Sequence, residues 1–107
     1  MPNTTPMKLV TIVTEGLLKD QMTDLLKRHK TTGYTMSRVQ GEGSRGVHAS
    51  EWEGPSYKIV SIVSPETADE ILDEISEKYF DDYAVVAWLT DISVLRGEKF
   101  SQRDESF

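Results

Sequence analysis

Two apolar spacings alternate along the chain and mark out six elements. Met7–Thr14 (MKLVTIVT) is short and rich in β-branched residues, which predicts a strand. Met7, Leu9 and Val13 fall on one of its faces and Val10 and Ile12 on the other, so both faces require cover. From Glu15 to Thr31 the period changes. Leu18, Met22, Leu25, Leu26 and His29 recur at helical spacing, and Lys27, Arg28, His29 and Lys30 gather where the helix macrodipole favours cations. Gly33 then reads as the helix-ending glycine in the left-handed region. Tyr34–Val39 (YTMSRV) and Tyr57–Val63 (YKIVSIV) read as the second and third strands. Ser64-Pro65-Glu66 starts a second helix: a hydroxyl at the cap, proline at the first helical position, an acid in the first turn. Ala68, Ile71, Leu72, Ile75 and Tyr79 form its apolar stripe, and it ends near Phe80. Asp81 and Asp82 turn the chain into a fourth strand, Ala84–Leu95.

The order β-α-β-β-α-β, with a helix-length crossover in each half, predicts an α+β domain of ferredoxin-like type. Its four-stranded antiparallel sheet carries both helices on one face. The strands are apolar on both faces, so the second face needs a partner. Leaving it wet would forgo several kcal/mol at about 25 cal/mol per Å² of apolar surface. Self-association supplies the cover; the other arrangement is a monomer whose tails lie over the sheet.

The length of 107 residues fits a single domain spanning 1–107. Residues 1–6 read as a flexible N-terminus and 96–107 as a polar tail. The opening MPNTTP has neither a basic start nor an apolar run, so no signal peptide is expected. No apolar stretch is long enough for a spanning helix, and the expected location is the cytoplasm. With no cysteine, disulfides and thiolate metal sites are excluded within the chain. A net charge of −6 argues against a general nucleic-acid binder, which needs a basic face. That charge is uneven. Tyr34–Lys58 holds three bases (Arg38, Arg45, Lys58) and three acids (Glu42, Glu51, Glu53), so the remainder carries the whole excess, and an anion is repelled least in the middle segment.

The candidate chemistry lies there. Gln40–Ser56 has no sustained period, contains four glycines and a proline, and is far longer than a hairpin of two to five residues. Gly41-Glu42-Gly43-Ser44-Arg45-Gly46 has the parts of an anion cradle: convergent backbone N–H groups, a hydroxyl donor and a planar guanidinium. Flexible glycine loops without a ligand share that composition, and the lysine-threonine ending of a P-loop is missing. His48 is either a solvated side chain or a loop base, His29 a helix C-terminal cation, and neither has a second metal ligand nearby. Trp52 reads equally as a partner anchor or as local packing, whereas Trp88 in the last strand reads as core. No Ser-His-Asp or paired-carboxylate constellation is present, so the chain offers binding chemistry and is not expected to be an enzyme.

Four segments together resemble the PII-like carbon-regulatory proteins, the SbtB type and the carboxysome-associated PII relatives. They are KLVTIVTE at Lys8–Glu15, GYT at Gly33–Thr35, GEGSR at Gly41–Arg45 and KYFDDYA at Lys78–Ala84. The likeness covers roughly residues 7–100, and it is the joint order and spacing that is specific. It implies a homotrimer with ligand clefts between subunits that take adenine nucleotides (cyclic AMP, AMP, ADP, ATP) as effectors, with no tightly bound cofactor. Residues 40–56 would be the T-loop, whose conformation reports the ligand to a partner, in SbtB-type proteins a bicarbonate transporter docked from the cytoplasm. Gly33, Tyr34 and Thr35 would line the nucleotide cleft, and Gly41, Gly43, Ser44 and Arg45 would hold the phosphates. Arg45, His48 and Trp52 are the implied partner contacts. The resemblance leaves two other outputs open: slow nucleotide hydrolysis, or a carboxysome-associated scaffolding trimer sensing bicarbonate and ADP or AMP.

The sequence departs from that pattern in four places. Glu42 stands where relatives commonly carry a base (GKGSR), which disfavours highly charged nucleotides. His48 replaces a frequent arginine, which makes a phosphate or partner contact there pH-dependent. A cysteine-bearing C-terminal extension is absent. The lysine-bearing glycine loop of the nitrogen branch is replaced by FDDYA, which points to the carbon branch.

Overall fold

The structure is a computed structural model that describes residues 3–40 and 55–96. Strand β1 (Thr5–Glu15) leads through a single 3-10 turn (Gly16–Leu18) into helix α1 (Lys19–Arg28). Strands β2 (Thr35–Val39) and β3 (Ser56–Val63), helix α2 (Pro65–Lys78) and strand β4 (Val85–Val94) follow. The sheet order is β2-β3-β1-β4 with every neighbouring pair antiparallel, the ferredoxin-like arrangement that the element order predicts.

Strand register sorts the side chains. Ile12 lies opposite both Ile59 and Ala87, and Val10 opposite Ser61 and Leu89, so these residues share the face covered by the helices. Val10, Ile12, Ile59 and Val63 pack there against Leu18, Met22, Leu25 and Leu26 from the α1 side and Ala68, Ile71 and Ile75 from α2, all buried. The helix-free face carries Leu9, Val13, Val60 and Ile62, half-buried, beside Val86 and Trp88, which are 50% and 42% exposed. Trp88 is therefore not core. It lies opposite Thr11, one residue out of phase with Ile12, and the two-residue period of a strand sends it to the open side.

The helix ends follow the expected chemistry with one exception. Ser64 caps α2, its Oγ accepting from the Thr67 N–H at 3.3 Å, with Pro65 in the first turn. At the end of α1 the left-handed residue is Lys30 (φ 57°), and Gly33 has no positive φ. The Lys30 N–H donates to the Lys27 carbonyl at 3.0 Å and the Thr31 N–H to that of Leu26 at 3.4 Å, a Schellman closure three residues earlier than the glycine implies. Lys30 adopts the strained region because those two bonds satisfy the last carbonyls of the helix. Glu15, read as the start of the helix, instead ends β1. β1 also begins at Thr5, inside the segment expected to be a flexible N-terminus.

Candidate functional site

The roots of the long connection lie at one end of the sheet. Val39 and Ser56 face each other across β2 and β3, and Ser56 also lies opposite Glu15. β2 is one of the two edge strands, and four of its five residues are exposed. Of the sequence-predicted nucleotide residues, Gly33, Tyr34 and Thr35 are placed at the start of β2. Gly33 is exposed, with nothing within 4 Å of the position a Cβ would take, and its carbonyl accepts from Ser61 Oγ at 2.6 Å. Tyr34 is 38% exposed, and Thr35 pairs with Val60. Gly41, Gly43, Ser44 and Arg45, with the partner candidates His48 and Trp52, lie outside the described residues.

Two further features belong to this end. Glu15 is buried; its Oε2 accepts from the Ala84 N–H at 2.9 Å while its own N–H donates to the Ala84 carbonyl at 3.3 Å. The carboxylate thus ties the start of β4 to the end of β1, beside the far root of the connection. Its Oε1 has no hydrogen-bond partner among the described residues. On the helix side of β2, Tyr34, Met36 and Arg38 alternate outward, and Arg38 lies opposite Tyr57 of β3. Lys19 Nζ, from the first turn of α1, sits 5.0 Å from the centre of the Tyr57 ring. In the sequence Arg38 enters only through the charge balance; its alternation with Tyr34 and Met36 is the signal that marks it. Among the described residues no group of histidine, aspartate and glutamate is assembled to hold a metal.

This fold and loop placement coincide with a known family. Residues 7–99 match the family of the nitrogen regulatory protein P-II, and the chain belongs to it. It is a PII-like signalling protein, a member of a regulatory family. A PII-like signaling protein of Thermus thermophilus is 44% identical with a TM-score of 0.79, over 94% of this chain and 99% of that one. CPII of Thiomonas intermedia K12, bound to ADP, AMP and acetate, is 30% identical with a TM-score of 0.80, again over 94% and 99%. The same protein bound to ADP and bicarbonate matches equally well.

Proposed function

We propose that this protein is a homotrimeric sensor of adenine nucleotides (cyclic AMP, AMP, ADP or ATP), of the carbon-regulatory, SbtB-like branch. It binds the nucleotide between subunits and signals through the 40–56 T-loop to a partner, a bicarbonate transporter reached from the cytoplasmic side of the membrane. The observation that carries the reading is the match, over 94% of this chain, to CPII, a protein seen with ADP together with AMP or bicarbonate.

Strand geometry supports a site between subunits. At about 3.3 Å per residue, the five residues of β2 separate Thr35 from Val39 by about 13 Å, and Gly41 follows Val39 by two positions in the sequence. One nucleotide touching both groups of a single chain would have to lie along the whole strand. Gly33, Tyr34 and Thr35 of one copy facing Gly41, Gly43, Ser44 and Arg45 of the next removes that demand. The apolar helix-free face provides the surface on which copies meet. No helix among the described residues is long and apolar enough to cross a membrane, so a membrane role runs through the partner.

Calorimetry with AMP, ADP, ATP and cyclic AMP tests the reading. Arg45→Ala is expected to weaken the nucleotides by roughly 1.5–3 kcal/mol, the scale of a charge-assisted hydrogen bond, with adenosine little affected. Unchanged ADP affinity in that variant sinks the phosphate cradle. For the output arm, deleting 49–53 should preserve nucleotide binding and abolish transporter binding in a pull-down, with Trp52 and His48 as the contacts removed or displaced. Retained transporter binding means that the loop is not the effector arm.

A further inference from the structure

Ser61 breaks the apolar pattern on the helix-covered face of β3. Ile59 and Val63, two residues to either side on that face, are buried hydrophobic residues, and Ser61 is itself buried, opposite Val10 of β1. A hydroxyl withdrawn from water at such a position is costly unless it is bonded. It donates to the Gly33 carbonyl at 2.6 Å. Thr14, Thr23 and Thr31 donate to carbonyls no more than five residues away in the chain, whereas Ser61 reaches 28 residues back, from β3 to the approach to β2.

That approach lies between two anchors. Behind it α1 closes at Thr31, whose N–H and Oγ1 both meet the Leu26 carbonyl. Ahead of it, pairing between β2 and β3 begins at Thr35, opposite Val60. Gly33 is exposed, with nothing within 4 Å of where a Cβ would stand, and β2 has no strand on its outer side. The Ser61 hydroxyl ties this stretch to β3. The consequence is directional. Gly33 C=O and Tyr34 N–H are the two ends of one planar trans peptide. With the carbonyl turned in toward Ser61, the N–H points the opposite way, toward the open edge of β2.

We propose that Ser61 is a positioning residue of the ligand site: its hydroxyl fixes the Gly33–Tyr34 peptide so that the Tyr34 N–H stands as a preset donor for an acceptor atom of the nucleoside. Ser61 itself is buried and touches no ligand; it acts through Gly33. The inference rests on the reading of Gly33, Tyr34 and Thr35 as the lining of the nucleotide cleft, and adds a core residue that this reading does not contain.

The test is calorimetry on the full chain with adenosine, AMP and ADP, together with amide hydrogen exchange. Ser61→Ala is expected to bind all three about fivefold more weakly, the scale of one neutral hydrogen bond, and by the same factor for each. Ser61→Thr keeps the hydroxyl and should restore binding. Exchange at residues 33–35 should quicken in Ser61→Ala, with the pairs from Ser37 to Val39 unchanged. Thr23→Val is the control, since it removes a buried hydroxyl bonded to the Asp20 carbonyl on α1. Wild-type affinities in Ser61→Ala overturn the proposal and leave the nucleotide reading standing. An equal loss in Thr23→Val also overturns it, because the effect is then a general loosening of the fold. So does a loss that grows from adenosine to ADP, which would place the missing contact at the phosphates. If wild type binds no adenine nucleotide, the reading of function fails and this inference falls with it.

Discussion

Glu74 shows how a single side chain joins the two helices. Arg28 donates to its Oε2 at 2.7 Å, His29 Nε2 lies 3.0 Å from its Oε1, and Lys78 reaches Oε2 at 3.4 Å. The hydrogen bond from Arg28 above all, with those of His29 and Lys78, holds the Glu74 carboxyl down from its ordinary 4.5 to about 2. A carboxylate depressed on folding stabilises the native state above its unfolded pKa, and that contribution is lost as pH falls toward the folded value. The wild-type protein should therefore lose stability from Glu74 between about pH 4.5 and pH 2. Glu74→Gln should be less stable than wild type at pH 7, and its unfolding midpoint should fall less steeply across that acid window. Parallel urea melts of the two proteins from pH 7 to pH 2.5 give the comparison. Curves offset by a constant amount would show that the charge of Glu74 is not what is lost.

At the scale of elements, the helix-free face of β1, β3 and β4 is the surface through which the proposed trimer would assemble. Trp88→Glu places a charge on that face, on the edge strand β4, and should convert the proposed trimer to monomers while leaving the unfolding transition cooperative. Light scattering at micromolar concentration is the check; a trimer mass in the variant removes the face from the interface, and a monomer mass in wild type removes the intersubunit site altogether. The elements themselves are legible in the sequence because the two-residue and helical periods differ so plainly between Met7–Thr14 and Leu18–Leu26. Trp88 is not, because a strand apolar on both faces gives no sign of which face the helices cover. Only the pairing Thr11–Trp88 settles it. The end of α1 departs from expectation because glycine is the commonest left-handed residue, yet the closure is decided by which N–H groups meet the Leu26 and Lys27 carbonyls. Gly33, Tyr34 and Thr35 are legible as a group at the start of β2. Arg38, Tyr57 and Lys19 are not, since they come from three elements and only register and helix position bring them together.

The molecule as a whole is a sheet whose first and last strands lie side by side. Thr5 faces Val94, and ten residues of β1 pair with β4. Contacts between residues so far apart in sequence carry a large loop-closure cost and set the pace of folding. During synthesis β1 emerges before β3 and finds it only once the connection from β2 has been made, but its other edge stays unpaired until Val94 has left the ribosome. For that interval β1 presents open backbone donors and acceptors beside an uncovered apolar face, the combination most prone to edge-to-edge aggregation. The nascent chain is thus most vulnerable just before its last strand arrives, and substitutions that weaken β4 pairing will show first as reduced soluble yield.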